Sequence, residues 1–313
     1  TINLDVAAGD TVTIGGSATE VDGIEAAETV NIEGGGSNAQ VNLGDLGNDA
    51  VDAVGGSLTT LNASNFDGDL ALEFANDELT SDVTVVGTGS GNDTLVANYG
   101  AMANLSGSNA LDITGIETLT FQVEADLTSN GTPIDLTDVS GAETIELTNT
   151  GTNGINLTNV ADGQTVQLGN GSSNFDDATV DLDLADNAGD SNSLTVQATD
   201  TNDATNSVNL DTSSIENVTI DIATDLNADQ DFDLSNVDDQ DDGTDNGVAV
   251  TLQNGEDGQD FELSAISTDI DTINAGGVSS NVIMQDTAST DGTEITTGSG
   301  DDRIQMANGD DVL

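Results

Sequence analysis

Three short stretches of this chain combine glycine, aspartate and a large apolar residue at spacings that suit the binding of a hard cation. They are residues 88–96, 297–305 and 306–313, and the third follows the second directly. In each stretch glycine supplies turn geometry that lets backbone carbonyl oxygens converge, and the sixth residue is an aspartate that supplies an anionic oxygen. Ca²⁺ takes six or more oxygen ligands in a flexible geometry, whereas Mg²⁺ requires a tight octahedron. The spacing therefore predicts calcium sites.

The predicted metal-binding residues occupy equivalent positions in the three stretches. The set comprises Gly89, Gly91, Asp93, Gly298, Gly300, Asp302, Gly309 and Asp311. The eighth residue of each stretch is expected to fill the core, and these residues are Leu95, Ile304 and Leu313. Two stretches in tandem are a stronger signal than one, and an Asx turn is the alternative for the isolated first stretch. Residues 238–243 and 254–260 carry further acidic oxygens without a defined spacing, and a solvated turn explains them equally well.

Short strands must position these turns. Residues 134–147 and 155–168 repeat one pattern at an offset of 21 residues: an alternating strand, an apolar residue in a turn, and a second alternating strand. Alternation places the apolar side chains on one face of a strand. A fixed period of twenty-odd residues with two short strands per period indicates a solenoid, in which each repeat is one coil.

Two series of apolar residues extend this pattern to the C-terminus. One series comprises Leu119, Ile145, Val166, Leu194, Val218, Val248, Ile273 and Ile295. The other comprises Ile134, Ile155, Val180, Val208, Phe232, Phe261 and Val282. The spacings of the two series lengthen and shorten nearly together, as insertions in the turns of successive coils would produce. A recurring phrase, as in Gly115-Ile116-Glu117 and Ser214-Ile215-Glu216, precedes strands of the first series.

The N-terminal third is less regular. Strands are predicted there at Thr11–Ile14 and at residues 28–32, 41–43, 58–61, 70–74 and 83–86. Residues 95–111 are the least strand-like, and residues 51–54 suit a turn or a short helix.

The whole pattern predicts an all-β fold, a parallel right-handed β-solenoid of roughly a dozen short-strand coils. The expected organisation is less regular coils over residues 1–110 with one calcium-type turn at 88–96, then a regular solenoid over 111–296. Residues 297–313 are expected to begin a tandem array that continues beyond this sequence.

The charge of the chain limits its partners and its chemistry. The 313 residues include 59 acidic residues and one basic residue, Arg303, which gives a formal net charge of -58. Mutual repulsion weakens a compact state, so divalent metal or high salt is expected to compensate, and nucleic acid is excluded as a partner. Enzymes that act on acidic sugars need basic side chains or histidine to neutralise carboxylates and move protons, so no enzymatic activity is expected. No stretch is long enough to be a transmembrane helix.

The tandem stretches resemble an RTX repeat array, whose nonapeptide reads G-G-x-G-x-D-x-U-x, with U a large apolar residue. The first glycine is replaced by Thr88, Thr297 and Met306, and the second by Ala307 in the last stretch. Together with the Ile-Glu phrases, the tandem resembles RTX-type bacterial surface-layer proteins of the Caulobacter kind. The resemblance implies a secreted protein, exported by a type I system through a C-terminal signal outside this sequence, that folds on meeting extracellular Ca²⁺ and tiles into a lattice on the cell.

The expected function is therefore that of a structural extracellular protein that assembles with copies of itself into a calcium-dependent surface lattice (an S-layer). A cell-surface polysaccharide is the candidate anchor. The alternative is a β-solenoid module of a large secreted RTX adhesin or biofilm-matrix fibre. A β-helical polysaccharide lyase or epimerase is the least favoured.

Overall fold

The computed structural model describes most of the chain, with gaps between the strands. The described residues are 1–14, 27–43, 58–74, 79, 82–88, 91–99, 111–123, 133–149, 154–169, 178–185, 192–199, 206–213, 215–222, 230–238, 247–254, 260–285, 292–307 and 311–313. Within these ranges all the regular secondary structure is β-strand, and the strands form two parallel sheets of 16 and 8 strands. The all-β, parallel solenoid predicted from the sequence is confirmed; the handedness of its coils stays a prediction.

The chain divides into two compact units, one made of Thr1–Ala125 with Thr132–Glu146 and the other of Asp126–Gly131 with Leu147–Leu313. The strands of the first unit are β1 (Ile2–Val6), β2 (Thr11–Ile14), β3 (Thr29–Leu43), β4 (Thr60–Phe74), β5 (Thr84–Val86), β6 (Thr94–Tyr99), β7 (Asp112–Thr114), β8 (Thr118–Val123), β9 (Ile134–Asp135), β10 (Val139–Ser140) and the start of β11 (Thr144–Asn149).

In the first unit, two long strands, β3 and β4, each pair with two shorter strands, one along the first part of the long strand and one along its last part. The first part of β3 pairs with β1 and its last part with β2, while β4 pairs with β5 through its start and with β6 through its end. Gly34, Gly35 and Gly36 all have positive φ where the β3–β4 ladder is interrupted. Only glycine adopts such angles without a steric cost, so the strand changes direction there without ending.

This continuity corrects part of the sequence analysis. The strands predicted separately at 28–32 and 41–43 are the two ends of β3. Likewise, those predicted at 58–61 and 70–74 are the two ends of β4. Residues 95–99, expected to be poorly strand-forming, belong to β6, because residues 94–97 pair with β4 and residues 94–99 pair with β8. The segments 51–54 and 100–110 lie outside the described residues.

The second unit contains the regular repeat. Its strands are β12 (Ile155–Val160), β13 (Thr165–Leu168), β14 (Ala178–Leu184), β15 (Ser193–Ala198), β16 (Asn206–Ser213), β17 (Asn217–Ile222), β18 (Gln230–Val237), β19 (Val248–Asn254), β20 (Asp260–Ile266), β21 (Ile270–Asn274), β22 (Asn281–Gln285), β23 (Glu294–Thr296) and β24 (Arg303–Gln305). The even-numbered strands follow one another in one sheet and the odd-numbered strands in the other. Both predicted series of apolar residues are confirmed, because each lies in its own sheet.

The core consists of apolar side chains stacked in register from coil to coil. One stack runs through Leu43, Leu72, Leu95 and Leu119, all of them buried. In the second unit Phe232 stacks on Leu263 and then Met284, and the Phe232 and Phe261 rings lie 5.9 Å apart. A single coil has too few inward side chains to be stable, whereas stacking makes one continuous core.

Candidate functional site

The sixth-position aspartate of the first stretch is buried between two coils. Asp93 precedes β6 and lies beside Leu70 of β4 in the parallel register. Its Oδ1 accepts a hydrogen bond from the Leu70 N–H at 3.0 Å, and its Oδ2 accepts one from the Thr88 N–H at 2.8 Å. The side chain has no solvent exposure, and burial raises the pKa of this carboxyl. The carboxylate therefore satisfies two backbone donors that would otherwise lack a partner at the coil junction.

The two aspartates of the C-terminal tandem repeat this contact. Asp302 Oδ1 accepts from the Val282 N–H at 3.0 Å, and Asp311 Oδ1 accepts from the Thr293 N–H at 3.1 Å. In both cases the donor lies at the same register position one coil earlier. Asp302 and Asp311 are half-buried, unlike Asp93. The three predicted ligands thus make the same kind of contact, to a backbone N–H of the preceding coil.

A second hydrogen bond runs in the opposite direction at the neighbouring residue. The Asn92 N–H donates to Asp69 Oδ1 at 3.2 Å, and the Asp301 N–H donates to Asn281 Oδ1 at 2.8 Å. Adjacent coils therefore exchange a pair of backbone-to-side-chain bonds at each of these turns. The sequence pattern did not reveal this partner, because it lies one coil earlier and not within the nonapeptide.

The motif glycines are required by close contact between coils. A Cβ on Gly298 would lie 1.9 Å from the Val278 carbonyl oxygen, and one on Gly300 would lie 2.3 Å from the Ser280 carbonyl oxygen. Gly91 has a φ of 116°, which strains any other residue. The remaining predicted glycines, Gly89 and Gly309, lie outside the described residues.

The eighth-position residues do not all fill the core. Leu95 is fully buried in the leucine stack, as expected, and Ile304 is half-buried. Leu313 is 79% exposed, so the expectation is wrong for this residue.

The oxygen atoms of these turns are the candidate ligands for Ca²⁺. Asp93 suits the ion poorly as it stands, because both of its oxygens accept backbone N–H groups. At Asp302 and Asp311 only one oxygen makes a hydrogen bond to another described residue, and the turns bring carbonyl oxygens close to the motif glycines. Among the described residues no three acidic side chains converge as a metal-binding group. An ion here would need carbonyl oxygens as well as carboxylates, and calcium binding stays a prediction.

The recurring Ile-Glu phrase performs a related role that sequence reasoning missed. Glu117 Oε2 accepts from the Asp93 N–H at 2.8 Å, and Glu216 Oε2 accepts from the Asn192 N–H at 2.6 Å. The preceding Ile116 and Ile215 are fully buried. The isoleucine packs in the core and fixes the turn, and the glutamate side chain accepts a hydrogen bond from a backbone N–H of the preceding coil. The recurrence of the phrase in the sequence indicated a shared role, but it did not show which backbone N–H donates to the glutamate.

A stack of carboxylates lies on the outward side of the even-numbered sheet. Asp181 and Asp211 are in-register neighbours, and Asn156 Nδ2 donates to Asp181 Oδ2 at 2.7 Å. Burial, with the charges of Asp183 and Asp211, raises the pKa of Asp181 to about 6. Burial, with the charges of Asp183 and Asp238, raises the pKa of Asp211 as well. Ionisation of this stack therefore opposes folding.

Replacing Asp181 with asparagine should stabilise the protein near neutral pH. A folded-state pKa above the unfolded value makes the charged form unfavourable, so stability falls as pH rises through about 6. The partial exposure of the side chain limits the gain to about 1–2 kcal/mol at pH 7, and the gain should vanish near pH 4. Urea unfolding of wild type and Asp181→Asn at both pH values measures this. The exposed Asp10, changed to asparagine, is the control, and an equal gain in that variant would contradict the prediction.

Comparisons with known proteins give no relative. No protein-family model matches the chain, and no curated protein and no solved structure matches it either. Within the described ranges, no helix is long and apolar enough to cross a membrane. The functional conclusion therefore depends on the residues and on their geometry.

Proposed function

We propose that this protein is a structural extracellular protein that assembles with copies of itself into a calcium-dependent surface lattice. The observation that carries the proposal is the repeated coil junction at Asp302 and Asp311, in a chain with 59 acidic residues and one basic residue. A stack of coils with so few internal cations needs external ones to limit repulsion. Ca²⁺ would be held by these carboxylates together with backbone carbonyl oxygens of the adjacent turns.

A module of a secreted adhesin or matrix fibre is the second candidate. The same coil stack and the same acidic turns would serve a fibre equally well, since stacked coils extend along one axis. The two candidates differ in lateral association: a lattice protein forms sheets in Ca²⁺, whereas a fibre module stays as separate particles. Electron microscopy of the purified protein with Ca²⁺ distinguishes them. A polysaccharide lyase or epimerase is disfavoured, because the chain contains no histidine and no lysine.

A Ca²⁺ titration of chelator-treated protein tests the proposal. Far-UV circular dichroism, thermal unfolding and light scattering should show that Ca²⁺ raises stability and particle size, whereas Mg²⁺ does so weakly because it holds its waters. A ligand present at about 100 times its dissociation constant stabilises the folded state by about 2.7 kcal/mol. Asp302→Ala with Asp311→Ala should remove most of this response.

The matched control is Asp301→Ala. Asp301 is exposed in the same turn, and its backbone N–H, not its side chain, makes the contact to Asn281. This variant should respond to Ca²⁺ like the wild type. Full strand content in chelator together with no change on adding Ca²⁺ would contradict the calcium mechanism, although the solenoid itself would stand.

A further inference from the structure

One face of the second unit carries fewer charges than the other sheet of the same unit. The outward side chains of β13, β15, β17, β19, β21 and β23 form three in-register columns, here called the threonine face. The central column consists of Thr165, Thr195, Thr219, Thr251, Asn274 and Thr296. The residues between these columns along each strand are buried, so the columns point away from the core.

The threonine face carries few charges. Of its 15 column residues only Asp221 and Glu294 are acidic, and the exposed Asp271, which the register skips between Ile270 and Thr272, adds a third carboxylate beside the columns. The outward side of the other sheet of the same unit carries seven carboxylates from β14 to β20, at Asp181, Asp183, Asp211, Asp231, Asp233, Asp260 and Glu262. Two copies with a net charge of -58 each can approach closely only where carboxylates do not oppose one another.

The chemistry of the face is self-complementary. Its polar groups are hydroxyls and amides, which both donate and accept hydrogen bonds, whereas carboxylates only accept. Thr165, Thr195, Thr219 and Thr251 make no side-chain hydrogen bond to another described residue. A two-fold contact places one surface against itself, so it requires groups of this kind. Stacked at the strand spacing, the hydroxyls of one copy can pair with those of another.

The size of the face suits a weak but specific contact. Six strands at about 4.8 Å and three columns at about 7 Å give an area of about 600 Å² per copy, including side-chain width. A pair would bury about 1,200 Å², which is the lower limit of specific interfaces. A contact of this strength is sufficient in a lattice, where each copy also makes contacts through other surfaces.

We propose that the threonine face of one copy packs against the threonine face of a second copy of this chain. This inference rests on the proposed function and identifies the surface through which the copies associate laterally. The contact itself contains no metal. Ca²⁺ would act on coil stability and not within this interface.

Sedimentation velocity over a concentration series, in chelator and in Ca²⁺, tests the inference. The double variant Thr195→Glu, Thr219→Glu places like charges opposite one another, and it should weaken association at least about tenfold. The control is Thr179→Glu, Gln285→Glu, which adds the same charge to the outward side of the other sheet, and it should associate within about twofold of wild type. Asp221→Asn removes the carboxylate that β17 contributes to the face and should tighten association about two- to fivefold. Higher NaCl should strengthen association of the wild type, because salt screens net repulsion.

The first two outcomes below separate this inference from the proposed function. If Ca²⁺ drives assembly but the threonine-face variant assembles like wild type, the interface is elsewhere and the inference is overturned while the proposed function stands. If the variant loses association that does not depend on Ca²⁺, the inference stands and the calcium mechanism does not. If wild type stays monomeric in both conditions, both are overturned. Binding of dextran, a neutral glycan, by a monomeric wild type but not by the variant would also overturn the inference. Circular dichroism of each variant verifies that the strands are retained.

Discussion

Replacing Asp93 with asparagine should lower the free energy of unfolding by about 2–4 kcal/mol in chelator, because a buried charged acceptor of two N–H groups is lost. Asparagine has nearly the same shape, but its Nδ2 would face one of the two donors now bonded to the carboxylate. Leu70 N–H or Thr88 N–H would then lack an acceptor in a site without solvent access. The midpoint of urea unfolding, followed by circular dichroism, measures the change.

Asp302→Asn is the matched control for this prediction. Asp302 occupies the same motif position but is half-buried and accepts a single described N–H. Its replacement should cost about 1 kcal/mol or less in chelator, since water can satisfy a donor near the surface. If Asp93→Asn unfolds at the wild-type urea concentration and instead loses a response to Ca²⁺, Asp93 is a metal ligand and the structural role is wrong.

The second large effect is expected at Gly87, where the first unit brings two backbones together. A Cβ on Gly87 would lie 2.0 Å from the Gly115 carbonyl oxygen and 2.8 Å from Ile116 Cδ1. The Gly87 N–H donates to the Thr114 carbonyl at 2.7 Å, so the coils cannot separate without losing ladder bonds. Gly87→Ala should therefore destabilise the protein by at least about 2 kcal/mol, at the upper end for overpacking.

Gly277→Ala provides the comparison. A Cβ at Gly277 meets no atom within 4 Å, and its φ lies outside the left-handed region. Alanine there should be neutral or stabilising by about 0.5 kcal/mol, because it restricts the unfolded chain. Thermal unfolding of both variants beside the wild type gives the result. A similar loss in both would mean that backbone entropy, and not close contact between coils, determines the effect.

The regular part of the fold was predictable because its signal is local and repeated. Alternating apolar residues determine which side of each strand is buried, and a shift of one residue would expose them all. Both apolar series, from Leu119 and from Ile134, were therefore assigned correctly to strands. The strand boundaries in the N-terminal third were predicted less accurately. There the glycines at 34–36 let one strand change direction, whereas the composition suggests that the strand ends.

The coil period, the inward residues, the excess of acid and the turns at Asp93, Asp302 and Asp311 follow from local residue patterns and composition. The contacts of those aspartates, in contrast, become visible only in the folded chain. Their partners, the N–H groups of Leu70, Val282 and Thr293, lie between 18 and 23 residues earlier and meet them through the parallel register. The same holds for the threonine face, whose columns exist because stacking aligns side chains from different repeats. A contact between coils depends on how many residues each intervening turn contains, and local patterns do not fix that number.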